Sequence, residues 1–348
     1  MSTIISTGKP ILDNLARPLR DLRISVTDRC NFRCVYCMPR EVFGPGYAFV
    51  PREDLLTLEE IARIARVFAA IGMRKVRITG GEPLIRRNLE HLIEMIDAMD
   101  EVDDISLTTN GSMLSPGRAV DLRKSGLKRL TISLDALDDP TFKRINDVDY
   151  PVSRVLDGIE HARAAGFSGT KINVVVRRGF NQHAVLDLVK HFRHTDCIVR
   201  FIEYMDVGET NGWNLDDVIP ASDLVDEIDA QYPLEAISQN YPGEVAKRWR
   251  YRDGAGEIGF ITSVTQSFCG ECSRARLSAV GQVYTCLFSS QGHDLRDLLR
   301  SGASDDQLLQ AVCEIWQGRN DRYSELRATA TSIPASGQAK VEMSHIGG

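Results

Sequence analysis

Apolar and polar positions along the chain change period in a regular way. Residues 22–28, LRISVTD, alternate β-branched and polar side chains and predict a strand. In TLEEIARIARVFAAIG the apolar residues Leu58, Ile61, Ile64, Phe68 and Ile71 recur at helical spacing. Thr57 and Glu60 have the separation of a capping box, and Gly72 suits the C-terminal cap. KVRITGGEP then returns to strand periodicity and runs into a turn at Gly80 and Gly81. The same switch repeats. DISLTTNG, LKRLTISLDAL, GTKINVVVRRG and CIVRFIEYMD predict further strands, with helices over 86–99, 115–125, 152–165 and 182–194. Six strands alternating with helices imply parallel βαβ units with right-handed crossovers. Periodicity alone leaves a barrel and an open doubly wound sheet equally possible.

The strand ends are rich in polar and conformationally special residues: Arg77 and Gly81, Thr108 and Asn110, Ser133 and Asp135, Glu203 and Met205. In parallel α/β architectures the carboxyl ends of strands form the ligand face. Past residue 215 the alternation weakens. WRYRDGAGEIGFITSV predicts a hairpin turning at Asp253-Gly254, and a helix is expected over 305–317. The small-residue stretch from 328 to 348 is expected to be loosely ordered. No long repeat or linker is visible. A change of architecture between about 215 and 245 divides the chain into units 1–215 and 216–348.

Composition narrows the function classes. The 348 residues are 43% hydrophobic with net charge -6, enough for a large core and unsuited to bulk nucleic-acid binding. No apolar run is long enough to span a bilayer, and MSTIISTGKP lacks a signal-peptide pattern, so a cytoplasmic protein is expected. Of its eight cysteines, Cys197 and Cys313 stand alone and read as small core hydrophobes. The others form two triplets, Cys30, Cys34 and Cys37, then Cys269, Cys272 and Cys286. In a reducing compartment such clusters point to metal rather than to disulfides. A four-iron cluster with only three protein thiolates keeps one iron open to a small molecule. For the second triplet, zinc with His293 as fourth ligand is a rival reading. Arg274 and Arg276 between those cysteines suggest an anionic ligand arriving there instead.

The spacing CxxxCxxC with Tyr36 before the last cysteine, joined to TGGEP at residues 79–83, resembles the radical S-adenosylmethionine enzymes. The resemblance implies reductive cleavage of S-adenosylmethionine at the open iron and a 5'-deoxyadenosyl radical. Together with CGECSRARLSAVGQVYTC, TTNG, SLDAL, KINVVV, RFIEYM and the terminal Gly-Gly, nearly the whole chain resembles the GTP 3',8-cyclase family. That resemblance implies an incomplete (β/α)6 TIM-like barrel whose open side is closed by a C-terminal cluster-binding region.

It also implies roles. Cys30, Cys34 and Cys37 would hold one [4Fe-4S] cluster, with Tyr36, Gly81, Ser133 and Met205 lining the S-adenosylmethionine site. Cys269, Cys272 and Cys286 would hold a second [4Fe-4S] cluster that meets the guanine base. Arg23, Arg77, Thr108, Lys171 and the segment Arg274, Ala275 and Arg276 would bind GTP. Arg274, Arg276, Gly347 and Gly348 would serve catalysis. The family further implies an external electron donor, a downstream cyclic pyranopterin monophosphate synthase and a homodimer. Two alternatives remain at this point. A peptide-modifying radical enzyme would carry more C-terminal cysteines, and a metal-binding scaffold with a Gly-Gly tail would leave the first triplet unexplained.

Overall fold

The structure is a computed structural model that describes residues 10–329 and 340–347. Strands β1 (Asp21–Ser25), β2 (Lys75–Thr79), β3 (Asp104–Thr109), β4 (Arg129–Ser133), β5 (Lys171–Val176) and β6 (Ile198–Glu203) pair side by side in chain order, all parallel. The six expected strands are therefore present. β7 (Leu234–Ile237), β8 (Lys247–Tyr251) and β9 (Glu257–Ile261) form an antiparallel meander whose last strand lies parallel to β6. β10 (Arg274–Leu277) lies parallel to β1 at the other edge and is followed by β11 (Gln282–Tyr284) and β12 (His293–Asp294). The outermost strands, β7 and β12, do not pair with each other, so the barrel stays open.

Alternation along each strand builds a two-sided wall. On β1, Leu22 and Ile24 are fully buried in the apolar shell, while Asp21 and Arg23 face the interior. The shell is completed by helices such as Leu58–Ala70, which buries Ile61, Ile64 and Phe68. Its capping box is formed as the sequence predicts. The Thr57 hydroxyl accepts the Glu60 N–H at 3.1 Å, and the Glu60 carboxylate accepts the Thr57 N–H at 2.8 Å. Helix Asp305–Gln317 coincides with its predicted limits and buries Trp316, whose indole N–H donates to the Arg17 carbonyl at 3.2 Å.

Departures have local causes. The helix expected over 86–99 shrinks to Leu89–Asp97, because Pro83–Ile85 forms a separate 3-10 turn and Asn88 sits at φ 58°. The helix expected over 182–194 is Val185–Phe192 after a 3-10 turn. The hairpin turns where predicted, with Gly254 at φ 79°. The short helices Asp139–Asn146 and Ala221–Asp229 escape the sequence pattern. The expected looseness of the tail does not hold over 340–347. Helix Met343–Ile346 is docked, with Ser344 and Ile346 buried. Residues 330–339 and Gly348 lie outside the described residues. Among the described residues no helix is long and apolar enough to cross a membrane.

Candidate active site

The first cysteine triplet occupies the loop that leaves β1. Cys37 and Met38 donate backbone N–H groups to the Cys34 carbonyl at 2.9 and 2.8 Å, which folds the loop into a tight turn. Arg33 fixes it from outside by donating to the Cys30 and Phe43 carbonyls. Gly81 closes the other side. A Cβ there would lie 2.3 Å from the Arg29 carbonyl oxygen, so only glycine lets the β2 turn approach. Next to it, the buried Glu82 carboxylate accepts from the Thr109 hydroxyl and the Asn110 N–H, both at 2.7 Å. Burial pushes that carboxyl up to about 7.

The thiols are near enough that Cys30 raises the proton affinity of Cys34 and Cys37, and Cys37 that of Cys34. Burial, then the charge of Glu82, pushes Cys30 up to about 11. Cys34 and Cys37 rise further, by burial and by neighbouring thiolate charge. Tyr36 points inward and donates its hydroxyl to the Asp135 carboxylate at 2.8 Å. Asp135 also accepts the Val175 N–H at 2.8 Å, and burial pushes it up to about 6.

Inside the barrel lies a cavity of about 1500 Å³, open mouth included. Its cations come from register, because strand pairing sets Arg276, Arg23 and Arg77 side by side on β10, β1 and β2. Burial, then Arg276, Arg77 and Arg274, lowers the Arg23 guanidinium well below its ordinary value. Burial and Arg274 bring Arg276 down to about 9. Burial and Arg77 do the same for Arg200, whose guanidinium donates to the Asn173 amide oxygen at 2.8 Å. Lys171 falls to about 7 through burial and Arg200. Buried like charges that disfavour one another call for a polyanion. The buried Thr108 hydroxyl on the same wall has no hydrogen-bond partner among the described residues.

The second triplet sits at the same cavity's wall. Cys269 opens and Cys272 caps a 3-10 turn before β10, and Cys286 follows β11. Arg17 donates to the Cys269 carbonyl at 2.9 Å and Arg319 to the Cys272 carbonyl at 2.6 Å. Both arginines are buried and paired with Asp13. Arg274 reaches the Cys272 sulfur at 3.4 Å. Burial alone would raise the Cys272 thiol, but Arg274 and Arg319 outweigh it and bring it to about 6. Cys286, lacking that help, is pushed up to about 12 by burial. His293, the fourth ligand of the zinc alternative, is exposed on β12 and does not line this cavity.

The docked tail completes the site. Gly347 presents its carbonyl to the Arg276 guanidinium, and Met343 lines the cavity. Glu342 anchors this strap by accepting the Glu209 N–H and the Thr210 hydroxyl, both at 3.0 Å, and Lys340 pairs with Asp206 at 3.1 Å.

Of the residues expected from sequence, Arg23, Tyr36, Arg77, Thr108, Ser133, Met205, Arg274, Arg276, Cys269, Cys272 and Cys286 share one cavity. Gly81 lies behind it, against the first cysteine loop. Lys171 is on the inner face beside Arg200, and Ala275 turns its side chain into the apolar shell on the far side of β10. Asn173, Arg200, Arg17 and Arg319 were missed. An arginine inside the apolar strand IVRFIE was a usable signal for Arg200. Nothing local marked Arg17 or Arg319.

Two family models match the chain: Radical SAM superfamily over residues 24–192 and Molybdenum Cofactor Synthesis C over 197–325. The chain is 52% identical to a GTP 3',8-cyclase of Acidothermus cellulolyticus, with 98% of this chain and 99% of that protein covered. It is 48% identical to one from Xanthomonas axonopodis pv. citri and 46% to one from Staphylococcus epidermidis, each over 97% of this chain and 99% of the relative. Among solved structures, Streptococcus suis SuiB bound to S-adenosylmethionine superposes with TM-score 0.61 at 14% identity, over 90% of this chain and 69% of that one. At that identity the likeness concerns the fold.

Proposed function

We propose that this chain, which belongs to the GTP 3',8-cyclase family of radical S-adenosylmethionine enzymes, converts GTP to (8S)-3',8-cyclo-7,8-dihydroguanosine 5'-triphosphate. This is the first step of molybdenum cofactor biosynthesis. One observation carries the reading at this site: a buried cationic cavity whose wall holds one thiol triplet and, through Tyr36, borders the loop of the other. The donor sets fit iron–sulfur clusters. Each consists of three unbridged thiols within electrostatic reach of one another, soft ligands that leave one coordination position unclaimed. A cluster and S-adenosylmethionine, when bound, supply one-electron chemistry and a hydrogen-abstracting radical.

The residues divide the work. Cys30, Cys34 and Cys37 hold the first [4Fe-4S] cluster, and Cys269, Cys272 and Cys286 hold the second. Tyr36, Gly81, Ser133 and Met205 shape the S-adenosylmethionine pocket. Arg23, Arg77, Thr108, Lys171, Arg274 and Arg276 take the triphosphate and sugar, with Ala275 contributing backbone only. Gly347 brings a backbone without a side chain beside Arg276, Gly348 serves catalysis with it, and the C-terminal unit over the barrel's open side keeps water from the radical. Positioning then decides the outcome, since the hydrogen to be removed must sit close to the attacking carbon. In this reading residues 1–215 form the radical unit and 216–348 the closing unit. The protein works in the cytoplasm as a homodimer, fed by an external electron donor, and passes its product to cyclic pyranopterin monophosphate synthase.

The test is anaerobic incubation with reductant, S-adenosylmethionine and each nucleoside triphosphate in turn, followed by mass spectrometry. The cyclised product is expected from GTP. Iron analysis is expected to give about eight irons per chain, against about four if only one cluster is held.

A further inference from the structure

Below the Arg23–Arg77 row the barrel narrows to a second chamber of about 450 Å³. It shares Arg23, Arg77, Arg274 and Val245 with the main cavity, so the two adjoin across that row. Its walls come from the next inward row of the strands, where Asp21, Lys75 and Asp104 are register neighbours. Its floor is the segment between β7 and β8. There the Tyr241 ring lies 3.0 Å from the Lys75 ammonium, measured to the ring centroid. The segment is pinned at Gly243, whose N–H donates to the Glu271 carboxylate at 3.2 Å. A Cβ at Gly243, where φ is +83°, would lie 2.8 Å from the Glu271 carbonyl oxygen.

Both acids of the chamber have other hydrogen-bond partners, though their charge still reaches Lys75. Asp104 binds Arg129, and Asp21 accepts the Ser273 hydroxyl at 2.8 Å. Among the described residues Lys75 makes no ion pair, and the aromatic face is what stands against it.

We propose that Tyr241 is a specificity-determining residue that sets the depth of the substrate cavity and holds Lys75 as a gauge of phosphate-chain length. This rests on the reading of GTP as substrate. Arg77 and Lys75 are two residues apart on β2, about 6.6 Å along the strand. An anion anchored at Arg77 must be long to touch Lys75 as well; a triphosphate gains that contact and a diphosphate does not. Without the ring, Lys75 turns to its register neighbours Asp21 and Asp104 and is lost to the ligand.

Calorimetric titration of the anaerobic holoenzyme with GTP, GDP and inorganic tripolyphosphate tests this. Wild type is expected to bind GTP more tightly than GDP. Tyr241→Leu lowers that ratio about tenfold, as a lost cation–π contact to a half-buried ammonium implies. It weakens tripolyphosphate likewise and leaves GDP affinity within about twofold. Tyr241→Phe, which keeps the ring, retains the ratio. An unchanged ratio in Tyr241→Leu, or an equal loss for GTP and GDP, overturns the proposal and reduces the floor to a scaffold. Lys75→Gln gives a second arm should the leucine variant not fold. It too must collapse the ratio, and a retained ratio overturns the proposal. Wild type that fails to bind GTP at all would instead overturn the substrate reading.

Discussion

The two cysteine loops carry the same complement of three thiols in electrostatic settings that differ most at Cys272. Around the first, burial and the acids Glu82, Asp135 and Glu342 disfavour added negative charge. Around the second, Arg274 and Arg319 overcome burial at Cys272. The contrast matches the expected ligands. A sulfonium-bearing cofactor carries positive charge and suits the acids Glu82, Asp135 and Glu342 around the first loop, whereas a triphosphate needs the arginines beside the other. One cavity can thus receive two ligands without exchanging them, because each end repels the other's charge.

The largest effect should come from destroying one side of this contrast. Cys34→Ala is expected to abolish S-adenosylmethionine cleavage while leaving the second loop's iron, so iron content falls by about half. Normal release of 5'-deoxyadenosine would remove the first triplet from cofactor activation. Deleting Gly347 and Gly348 should suppress cyclised product but spare iron content and GTP affinity. A normal product yield would return the tail to an ordinary terminus. Arg276→Ala should weaken GTP binding by roughly 1.5–3 kcal/mol, about ten- to a hundredfold, and leave S-adenosylmethionine binding near wild type. Equal losses for both ligands would erase the division of charge.

The smallest effect is a pH dependence. Burial, then Arg200, Arg129 and Arg77, brings Lys171 to about 7, so above neutrality the empty site holds it neutral. An anion restores its ordinary preference for the charged form. GTP binding should therefore take up a proton above pH 7, and affinity should fall as pH rises, by at most about tenfold per pH unit. Titration in buffers of different ionisation enthalpy reads the proton directly. No uptake above neutrality would exclude Lys171 from the phosphate contact.

Much of this was legible in the chain because its signals are local. Thr57 and Glu60 announce a helix start, six period-two runs announce the parallel strands, and the cysteine spacings are self-contained. The strand RARL was harder to see. β10 is four residues long, and its two arginines hide the alternation with Ala275 and Leu277 that places it beside β1. Arg17 and Arg319 were illegible for a different reason. They act on the second cysteine loop from 252 and 47 residues away, a separation that only the closed fold removes. The docked tail was also hidden, since its anchors Asp206, Glu209 and Thr210 belong to the loop after β6, more than 130 residues earlier.

The claim that the two loops do separate work is tested most directly by one chromatogram. Cys272→Ala, incubated anaerobically with reductant, S-adenosylmethionine and GTP, should yield 5'-deoxyadenosine without the cyclised nucleotide. Cyclised product at the wild-type level, or the disappearance of 5'-deoxyadenosine along with it, would contradict the account.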